Sequence, residues 1–269
     1  MNNKLNLKLK MKTIKIVKIG GNIINDETAL HSFLADFAQL KGPKVLIHGG
    51  GKLASELAKE LNIPVTMIDG RRVTDTQTLD LITMVYAGKI NKQIVAQLQA
   101  NNTNAVGFTG ADGNTIVSTK RPAEPIDYGF AGDVVIVNPQ VVTILINNEV
   151  TPVFCAITHD ANGQLLNTNA DTIAAELAIG LSADYNTELY YCFEKPGVLS
   201  DVADDTSVIE QITLETYTQL KTDGIIFEGM LPKLDNCFHA LKNNVQKVHI
   251  GNTAMVFNSK NKHTSLQLS

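Results

Sequence analysis

Short apolar runs alternate with amphipathic segments between Thr13 and Leu61, and this alternation restricts the fold more than any other feature of the chain. The runs at 13–19 and 44–48 are rich in β-branched and aliphatic residues, as buried strands are. The segments at 26–40 and 52–61 carry apolar residues at helical spacing. Strands that alternate with helices pair in parallel, so the sequence predicts a parallel sheet.

The rest of the chain continues this rhythm. A long helix is predicted from Thr74 to about Ala100, either unbroken or divided at Gly88, and Thr74 with Gln77 has the spacing of a capping box. Its apolar stripe is expected to be core or an oligomer contact: Leu79, Ile82, Tyr86, Ile90, Ile94 and Leu98. Hairpins are predicted within 104–138. Further strands are expected at 63–68, 151–156, 188–193 and 247–250, and helices at 141–147, 171–181, 214–222 and 232–242.

Composition excludes several classes of protein. The chain has 269 residues, 44% of them apolar, which is enough for one large α/β domain or two lobes. Its formal net charge of −4 gives no general attraction to nucleic acid or to an anionic membrane. No apolar run approaches the roughly 18 residues of a membrane span. We therefore expect no nucleic-acid partner and no membrane partner.

The cysteines and the start of the chain indicate a cytoplasmic protein. Cys155, Cys192 and Cys237 lie far apart without the spacing of a metal or redox site, so we expect free, buried thiols in a reducing compartment. The Lys-rich residues 1–12 are not followed by the hydrophobic core of a secretion signal. We interpret them as a solvated tail rather than as an edge strand.

Two glycine-rich segments directly follow predicted strands. Lys18 to Asn22 supplies a lysine and then paired glycines, and His48 to Lys52 places three glycines before a helix. Glycine lets the backbone approach a ligand closely, and free N–H groups at a helix start attract an anion. The second segment is not a Walker loop, because Leu53 follows Lys52 where Ser or Thr is required. His48 is expected to be a hydrogen-bonded strand-end residue rather than a catalyst.

A dinucleotide site is an open alternative for the second segment. Gly49, Gly51 and Ala54 match the pattern G-x-G-x-x-A, and Asp69 ends the next strand-like run. This alternative gives no role to Lys18.

Three further segments carry candidate ligand-binding residues. Arg71 and Arg72 precede a predicted helix, and a guanidinium is a natural partner for a carboxylate; one of the two is expected to be exposed to solvent. The segment from Asn167 to Asp171 enters a helix, and only one of its polar residues is needed as an N-cap. Lys233 falls in the first turn of a helix, where a cation opposes the helix dipole unless an anion lies nearby.

In this order, the five segments resemble those of the amino acid kinase family, over about residues 13–251. They are Lys18 to Gly21, His48 to Gly51, Gly70 to Thr74, Asn167 to Asp171 and Met230 to Lys233. The resemblance implies an α/β fold of three αβα layers, with an open, mainly parallel sheet and helices on both faces. It also implies a single domain over 1–269, with an acyl-amino-acid lobe at about 13–182 and a nucleotide lobe at about 183–269.

The resemblance is greatest to members that phosphorylate the γ-carboxylate of N-acetyl-L-glutamate with ATP in arginine biosynthesis. A carboxylate is already ionised at neutral pH, so this nucleophile needs positioning and relief of charge repulsion rather than a general base. By the resemblance, Lys18 and Lys233 would stabilise the transferred phosphoryl group, and Asp171 would orient both lysines. Mg²⁺ would arrive with the nucleotide, since it prefers phosphate oxygens, and no metal site made by the protein is expected.

The resemblance also assigns the binding residues. The N-acyl-L-glutamate substrate would be held by Gly49, Gly50, Arg72 and Asn167. The nucleotide would be held by Gly20, Gly21, Glu194, Gly197, Leu199, Ile225 and Phe227.

The nucleotide lobe departs from the family pattern. Glu228 precedes Gly229 where the family usually has paired glycines, the segment 193–197 replaces the commoner Thr-Asp-Val-x-Gly, and the usual closing Gly-Thr is replaced at 263–264. These changes leave open a catalytically silent nucleotide-binding regulator. An N-succinylglutamate kinase, or another family member acting on carbamate, glutamate, aspartate or a nucleoside monophosphate, is also open.

The family resemblance extends to assembly. Its arginine-inhibited members add a long N-terminal helix that links dimers into hexamers, whereas about a dozen residues precede the first strand here. We therefore expect an arginine-insensitive homodimer, joined through the long helix after Thr74.

Overall fold

The computed structural model describes residues 11–226 and 230–269, so most of the predicted tail lies outside the described residues. The strands are β1 Thr13–Ile19, β2 Lys44–His48, β3 Met67–Ile68, β4 Arg71–Arg72, β5 Ala105–Phe108, β6 Ile116–Lys120, β7 Gly132–Val137, β8 Thr151–Phe154, β9 Ile157–His159, β10 Leu165–Asn167, β11 Asn186–Cys192, β12 Gln211–Thr213, β13 Lys247–Gly251 and β14 Thr264–Gln267.

The helices largely follow the predicted pattern. They are α1 Gly21–Asn25, α2 Glu27–Gln39, α3 Gly51–Glu60, α4 Thr76–Thr83, α5 Asn91–Ala100, α6 Gln140–Asn147, α7 Ala170–Leu181, α8 Leu214–Thr222, α9 Met230–Lys242 and α10 Ala254–Phe257. A π-helical segment, Met84–Ile90, connects α4 to α5, and a short 3₁₀ turn covers Asp112–Asn114. No helix of the described ranges is both long enough and apolar enough to cross a membrane.

The main sheet confirms the predicted open, mainly parallel architecture. Within the described residues it has eight strands in the order β12-β14-β13-β11-β1-β2-β8-β5. The six strands from β13 to β5 run parallel, and β14 runs antiparallel to β13. Every residue of β2 is buried, so both faces of the sheet are covered at its centre, as in other parallel sheets. β1 pairs with β11 along its whole length, which makes the sheet continuous across the two predicted lobes.

The segment 63–68 is the clearest local error of the sequence prediction. Only Met67–Ile68 forms a strand, and it pairs antiparallel with β4 in a separate two-stranded sheet. Pro64 has no N–H to donate to a strand ladder, which disfavours a strand across that position.

The predicted long helix forms, but its cap and its middle differ from expectation. Asp75, not Thr74, caps α4, because its carboxylate accepts a hydrogen bond of 2.7 Å from the backbone N–H of Thr78. Gly88 does not divide the helix; it lies inside the π-helical segment. An α-helix turns about 100° per residue, so positions four apart drift by about 40° around its axis. The wider π-helical turn reduces this rotation, so the apolar residues spaced by four stay on one face of the helix.

The apolar stripe of this helix belongs to the core of the chain itself rather than to an oligomer contact. All of its members are buried: Leu79, Ile82, Tyr86, Ile90, Ile94 and Leu98.

One predicted hairpin, β6 with β7, forms a second layer beside the main sheet. The predicted strand at 105–108 is not part of a hairpin, because it is β5 of the main sheet and pairs in parallel with β8. β6 and β7 pair antiparallel and belong to a four-stranded sheet of order β10-β9-β6-β7. The sequence prediction missed β9 and β10, which are three residues each. Parallel bridges join Thr74 to Gly129 and Ala131 to Asn167, so this layer is tied to both segments that flank the site described next.

Candidate active site

The carboxyl ends of β1 and β2 bring the first two glycine-rich segments together. Lys18 lies opposite Ile47 of β2 and Tyr191 of β11 in the parallel register, and Ile19 lies opposite His48. Ligands of open α/β sheets bind at this edge. A cavity of about 370 Å³ opens here, and its lining includes predicted site residues from four segments: Lys18, Gly21, Gly49, Gly50, Arg72, Asn167 and Asp171.

Asp171 joins the two predicted catalytic lysines. Lys233 donates a hydrogen bond of 2.6 Å to Oδ2, and the Lys18 ammonium lies 2.7 Å from Oδ1. Each carboxylate oxygen of Asp171 therefore faces one lysine ammonium at ion-pair distance. The side chains of Lys18, Asp171 and Lys233 are 13%, 15% and 15% exposed, so neither lysine is an ordinary surface residue.

Burial and charge act against each other in this cluster. Burial opposes ionisation of Asp171, but attraction to the two ammonium groups outweighs it and holds the pKa of the carboxyl below its ordinary value. Burial lowers the pKa of Lys18, despite the attraction of Asp171, and the charge of Lys233 lowers it further. Burial also opposes the charge of Lys233, but Asp171 outweighs it and raises the pKa of that lysine. Two cations therefore share one anion, leaving a net positive site.

The start of α7 leaves Asp171 available for this role. Asn169 is the N-cap, and its Oδ1 accepts hydrogen bonds from the backbone N–H groups of Asp171 and Thr172 at 2.7 and 3.4 Å. The expectation that only one polar residue of this segment is used as a cap is therefore confirmed. Tyr191 donates a hydrogen bond of 2.8 Å to the carbonyl of Asp171, and its ring centroid lies 5.4 Å from the Lys233 ammonium.

Arg72 is the buried member of the arginine pair, at 8% exposure, whereas Arg71 is half-buried at the cavity. Its Nη2 donates hydrogen bonds to the carbonyl of Gly51 at 2.9 Å and to Oγ of Ser55 at 2.7 Å. Its Nη1 is buried and has no hydrogen-bond partner among the described residues. No carboxylate of 11–226 or 230–269 forms an ion pair with Arg72, so an anionic ligand would complete this site.

Asn167 is held beside Arg72 through Thr74. The Asn167 amide donates a hydrogen bond of 2.9 Å to Oγ1 of Thr74, which in turn donates one of 3.1 Å to the carbonyl of Arg72. Gly129, at φ +66°, packs directly on the Thr74 carbonyl, where no Cβ would fit. These contacts fix the cavity wall from the side of the second sheet.

The glycines of the two segments differ in what surrounds them. A Cβ on Gly21 or Gly49 would meet no atom within 4 Å, so both leave open space at the cavity. A Cβ on Gly50 would lie 2.5 Å from Ile90 Cδ1 and 2.8 Å from Tyr86 Cδ1, so packing alone requires glycine there. Gly20 precedes α1, and its Cβ would lie 3.3 Å from the carbonyl of Cys192.

His48 is a structural residue, as expected from its place at the strand end. It is completely buried, its Nδ1 lies 2.7 Å from the carbonyl of Gly49, and Asn91 donates a hydrogen bond of 3.1 Å to its Nε2. Burial lowers the pKa of His48 to about 4, although the Gly49 carbonyl opposes this. The neutral ring therefore fixes the backbone of the glycine segment.

The structure does not bring the predicted nucleotide residues of the C-terminal part into the cavity. Glu194 is exposed, Ile225 is half-buried and Leu199 is buried; none lines the cavity, and Phe227 lies outside the described residues. Gly197 is buried, and its Cβ would lie 2.6 Å from Val208 Cγ1 and 2.8 Å from Thr264 Oγ1, so packing accounts for this glycine. The unusual residues Glu228 and Gly229 also lie outside the described residues.

The dinucleotide alternative does not fit the geometry. In that motif the strand after the glycine-rich turn and its helix joins the same parallel sheet. Here the strand after α3 is β3, which pairs only with β4, while the neighbours of β2 are β1 and β8. Asp69 therefore follows a strand of the small two-stranded sheet, whereas the dinucleotide motif requires its acidic residue after a strand of the main parallel sheet.

Sequence reasoning missed three residues at this site. Tyr86 and Arg121 line the cavity, and Arg121 forms a bidentate ion pair with Asp133 across the β6–β7 hairpin. Tyr191 supports Asp171 and Lys233 as described above. Tyr86 carries the one hydroxyl in an otherwise aliphatic stripe, a signal that the sequence did contain.

The cysteines are free and buried, as expected: Cys155, Cys192 and Cys237.

Similarity to known proteins extends over almost the whole chain. The sequence model of the amino acid kinase family matches residues 13–252. The chain is 54% identical over 241 residues to an acetylglutamate kinase of Cytophaga hutchinsonii, covering 89% of this chain and 91% of that relative. It is 50% identical over 237 residues to an acetylglutamate kinase of Bacteroides thetaiotaomicron, covering 88% and 92%. Among solved structures, smu.665 from Streptococcus mutans UA159 shares the fold, with a TM-score of 0.77, 24% identity and coverage of 96% and 99%.

Proposed function

This chain belongs to the amino acid kinase family, and from that premise we propose that it is an acetylglutamate kinase, which transfers the γ-phosphoryl group of ATP to the γ-carboxylate of N-acetyl-L-glutamate in arginine biosynthesis. The observation that carries the proposal is the approach of Lys18 and Lys233 to Asp171 at the end of the cavity.

The charges of the site suit phosphoryl transfer between two anions. The acceptor carboxylate and the triphosphate repel each other, and negative charge spreads over the oxygens of the transferred group. Lys18 and Lys233 offer two ammonium groups that Asp171 holds in place before the reaction, so little reorganisation is needed when charge develops. Asp171 is a positioning carboxylate in this scheme, because both of its oxygens face lysines and its low pKa makes it a poor base.

The cavity provides complementary positions for the substrate. Arg72, with unpaired N–H donors on its guanidinium, would bind the carboxylate that is not phosphorylated. Asn167 would hold the acylamino part, and Gly49 and Gly50 would present backbone groups close to the substrate. The nucleotide would be held by Gly20 and Gly21 together with residues of the C-terminal lobe, which are Glu194, Gly197, Leu199, Ile225 and Phe227. The lobes remain our proposal, at about 13–182 for the substrate and 183–269 for ATP.

Mg²⁺ would accompany ATP. Asp171 does not fit a metal site, since each of its oxygens already faces an ammonium group. Among the described residues no group of three His, Cys, Asp or Glu side chains is arranged to hold a metal ion. Phosphate oxygens are the preferred ligands of Mg²⁺, and the ion would supply further charge neutralisation between the phosphates.

A succinyl group is a second candidate for the acyl part. Lys52 and Arg71 also line the cavity, and neither forms an ion pair within residues 11–226 and 230–269. The free carboxylate of N-succinyl-L-glutamate would give these cations a partner. Acetyl and succinyl substrates therefore have to be compared directly.

We also propose a cytoplasmic homodimer that uses the outer face of the long helix. The inner stripe is buried within the chain, but Met84 on the same helix is 61% exposed and Val106 on the edge strand β5 is 40% exposed. Light scattering that gave a monomer or a hexamer would contradict this assembly.

The experiment that tests the function is hydroxylamine trapping of the acyl phosphate with MgATP. N-acetyl-L-glutamate, N-succinyl-L-glutamate and free glutamate are compared in wild type, Lys18→Ala, Lys233→Ala and the control Lys247→Ala, whose lysine is 60% exposed and pairs with Glu188. We expect hydroxamate from an acylglutamate and a loss of about a hundredfold or more in kcat for the two site variants only. Bound ATP without hydroxamate from any substrate would favour the silent regulator instead.

A further inference from the structure

Tyr86 is a buried phenol whose hydroxyl proton has no acceptor among the described residues. It is 4% exposed and lines the cavity, and the Arg72 guanidinium lies close enough to interact with its oxygen, but its Oη donates no hydrogen bond to any described residue. Buried tyrosine hydroxyls usually have a partner, because leaving one unpaired costs free energy. The partner is therefore to be sought in a ligand of the cavity.

The neighbours of Oη indicate the chemistry of that ligand. A Cβ placed on Gly51 would lie 3.7 Å from Tyr86 Oη and 3.9 Å from Arg72 Nη2, so phenol and guanidinium flank the same glycine at the start of α3. Both groups are hydrogen-bond donors, and the free N–H groups of a helix N-terminus point to the same region. Burial raises the pKa of Tyr86, although Arg72 opposes this, so the phenol keeps its proton. A group of hydrogen-bond donors without a carboxylate beside it favours an anionic ligand.

Packing fixes the Tyr86 ring independently of its hydroxyl. Tyr86 and Ile90 both lie against Gly50, where an added Cβ would come within 2.9 Å of two ring carbons. Both residues belong to the π-helical segment, and such segments often occur at functional sites. Removing the hydroxyl alone would therefore leave the ring and the glycine segment in place.

We propose that Tyr86 is a specificity-determining residue, whose hydroxyl donates a hydrogen bond to the substrate carboxylate that is not phosphorylated, beside Arg72. This inference rests on the proposed function, because it assumes an acylglutamate in the cavity. It assigns a residue of the apolar stripe to substrate selection, with the phenol and the guanidinium together distinguishing a dicarboxylate from a monocarboxylate.

Tyr86→Phe tests the inference, with Tyr190→Phe as the matched control. Tyr190 is also buried, at 6% exposure, but its hydroxyl donates to Glu188 and it does not line the cavity. Hydrogen bonds to charged groups contribute enough that we expect Tyr86→Phe to raise KM for N-acetyl-L-glutamate about tenfold or more. Values of kcat, KM for ATP and Tm should change little, and Tyr190→Phe should leave KM unchanged.

A second substrate separates recognition of the carboxylate from a change in shape. N-acetyl-4-aminobutyrate keeps the acetamido group and the reacting carboxylate but lacks the other carboxylate. The loss of kcat/KM caused by Tyr86→Phe should fall to within about twofold with this compound. An equal loss with both compounds, or an unchanged KM for N-acetyl-L-glutamate in an active enzyme, would overturn the inference and leave the proposed function intact. A wild-type enzyme without acylglutamate turnover would overturn both.

Discussion

Lys233 donates a hydrogen bond of 2.6 Å to Oδ2 of Asp171, so a lysine near the start of α9 is fixed by a carboxylate at the start of α7. The other oxygen of that carboxylate faces Lys18 of β1 at 2.7 Å. A sheet strand and two helices from distant parts of the chain are therefore joined through one side chain, and removing its charge should affect both turnover and stability.

Asp171→Asn should lower kcat by about a hundredfold to a thousandfold. Asparagine keeps the shape but cannot neutralise two cations, so the lysines would repel each other and leave the positions from which they stabilise the phosphoryl group. KM for the acylglutamate should change less, because Arg72 and Asn167 are untouched. Steady-state hydroxamate kinetics measure both constants. Glu176→Gln on the same helix is the control, since Glu176 pairs with His239, and equal losses in the two variants would contradict the assignment.

The same substitution should remove an acid-dependent part of the stability. The pKa of Asp171 is lower in the folded chain than the value of about 3.9 in the unfolded chain. Its contribution is therefore fully present above about pH 4 and is lost as the pH falls towards the lower, folded pKa. We expect Asp171→Asn to cost about 3 kcal/mol or more at pH 7, because two partly buried cations lose their partner.

Urea unfolding of wild type and Asp171→Asn at pH 7 and at pH 3 measures this effect. The difference in free energy of unfolding should shrink at the lower pH. A difference that stays constant would show that the carboxylate has an ordinary pKa in the folded chain.

The sequence predicted the parts of the fold and site that local patterns determine. The apolar run 13–19 and the glycines after it mark both a buried strand and its ligand edge, so Lys18 could be placed from neighbours in the chain alone. Its pairing with Asp171 followed from the family resemblance, since no local pattern relates residues so far apart.

Other features depend on contacts that the pattern does not contain. Periodicity identifies the stripe residue Tyr86 as buried, but it cannot show that the ring ends at a cavity, because that depends on the packing of Gly50 and on a π-helical turn. Arg121 reaches the cavity only because its hairpin folds back over the sheet edge. Short strands such as β9 and β10 are also defined by their partners rather than by their own sequence.

His48 should make stability depend on pH in a higher range. The pKa of His48 is lowered to about 4 in the folded chain, against about 6.5 when unfolded. Between these values the unfolded chain binds a proton that the folded chain does not, so stability is full above about pH 6.5 and falls as the pH approaches 4. The loss attributable to His48 is roughly 3 kcal/mol.

Urea unfolding of wild type and His48→Gln between pH 7 and pH 4.5 isolates this contribution. His249, whose pKa is also lowered to about 4 by burial, is present in both proteins and cancels in the comparison. The variant should lose less stability than wild type over this range. Parallel pH profiles would contradict the neutral, buried state of His48.

Gly50→Ala should lower stability and Gly49→Ala should weaken substrate binding, although the two residues are adjacent. A Cβ on Gly50 would overlap Tyr86 and Ile90 inside the core, whereas a Cβ on Gly49 would meet no protein atom and would occupy space at the cavity. Gly50→Ala should therefore cost about 1–3 kcal/mol of stability, the usual effect of overpacking. Gly49→Ala should leave Tm nearly unchanged but raise KM for the acylglutamate several-fold. Thermal unfolding together with substrate kinetics distinguishes the two variants. If Gly49→Ala lowered Tm without changing KM, the assignment of Gly49 to the substrate site would be wrong.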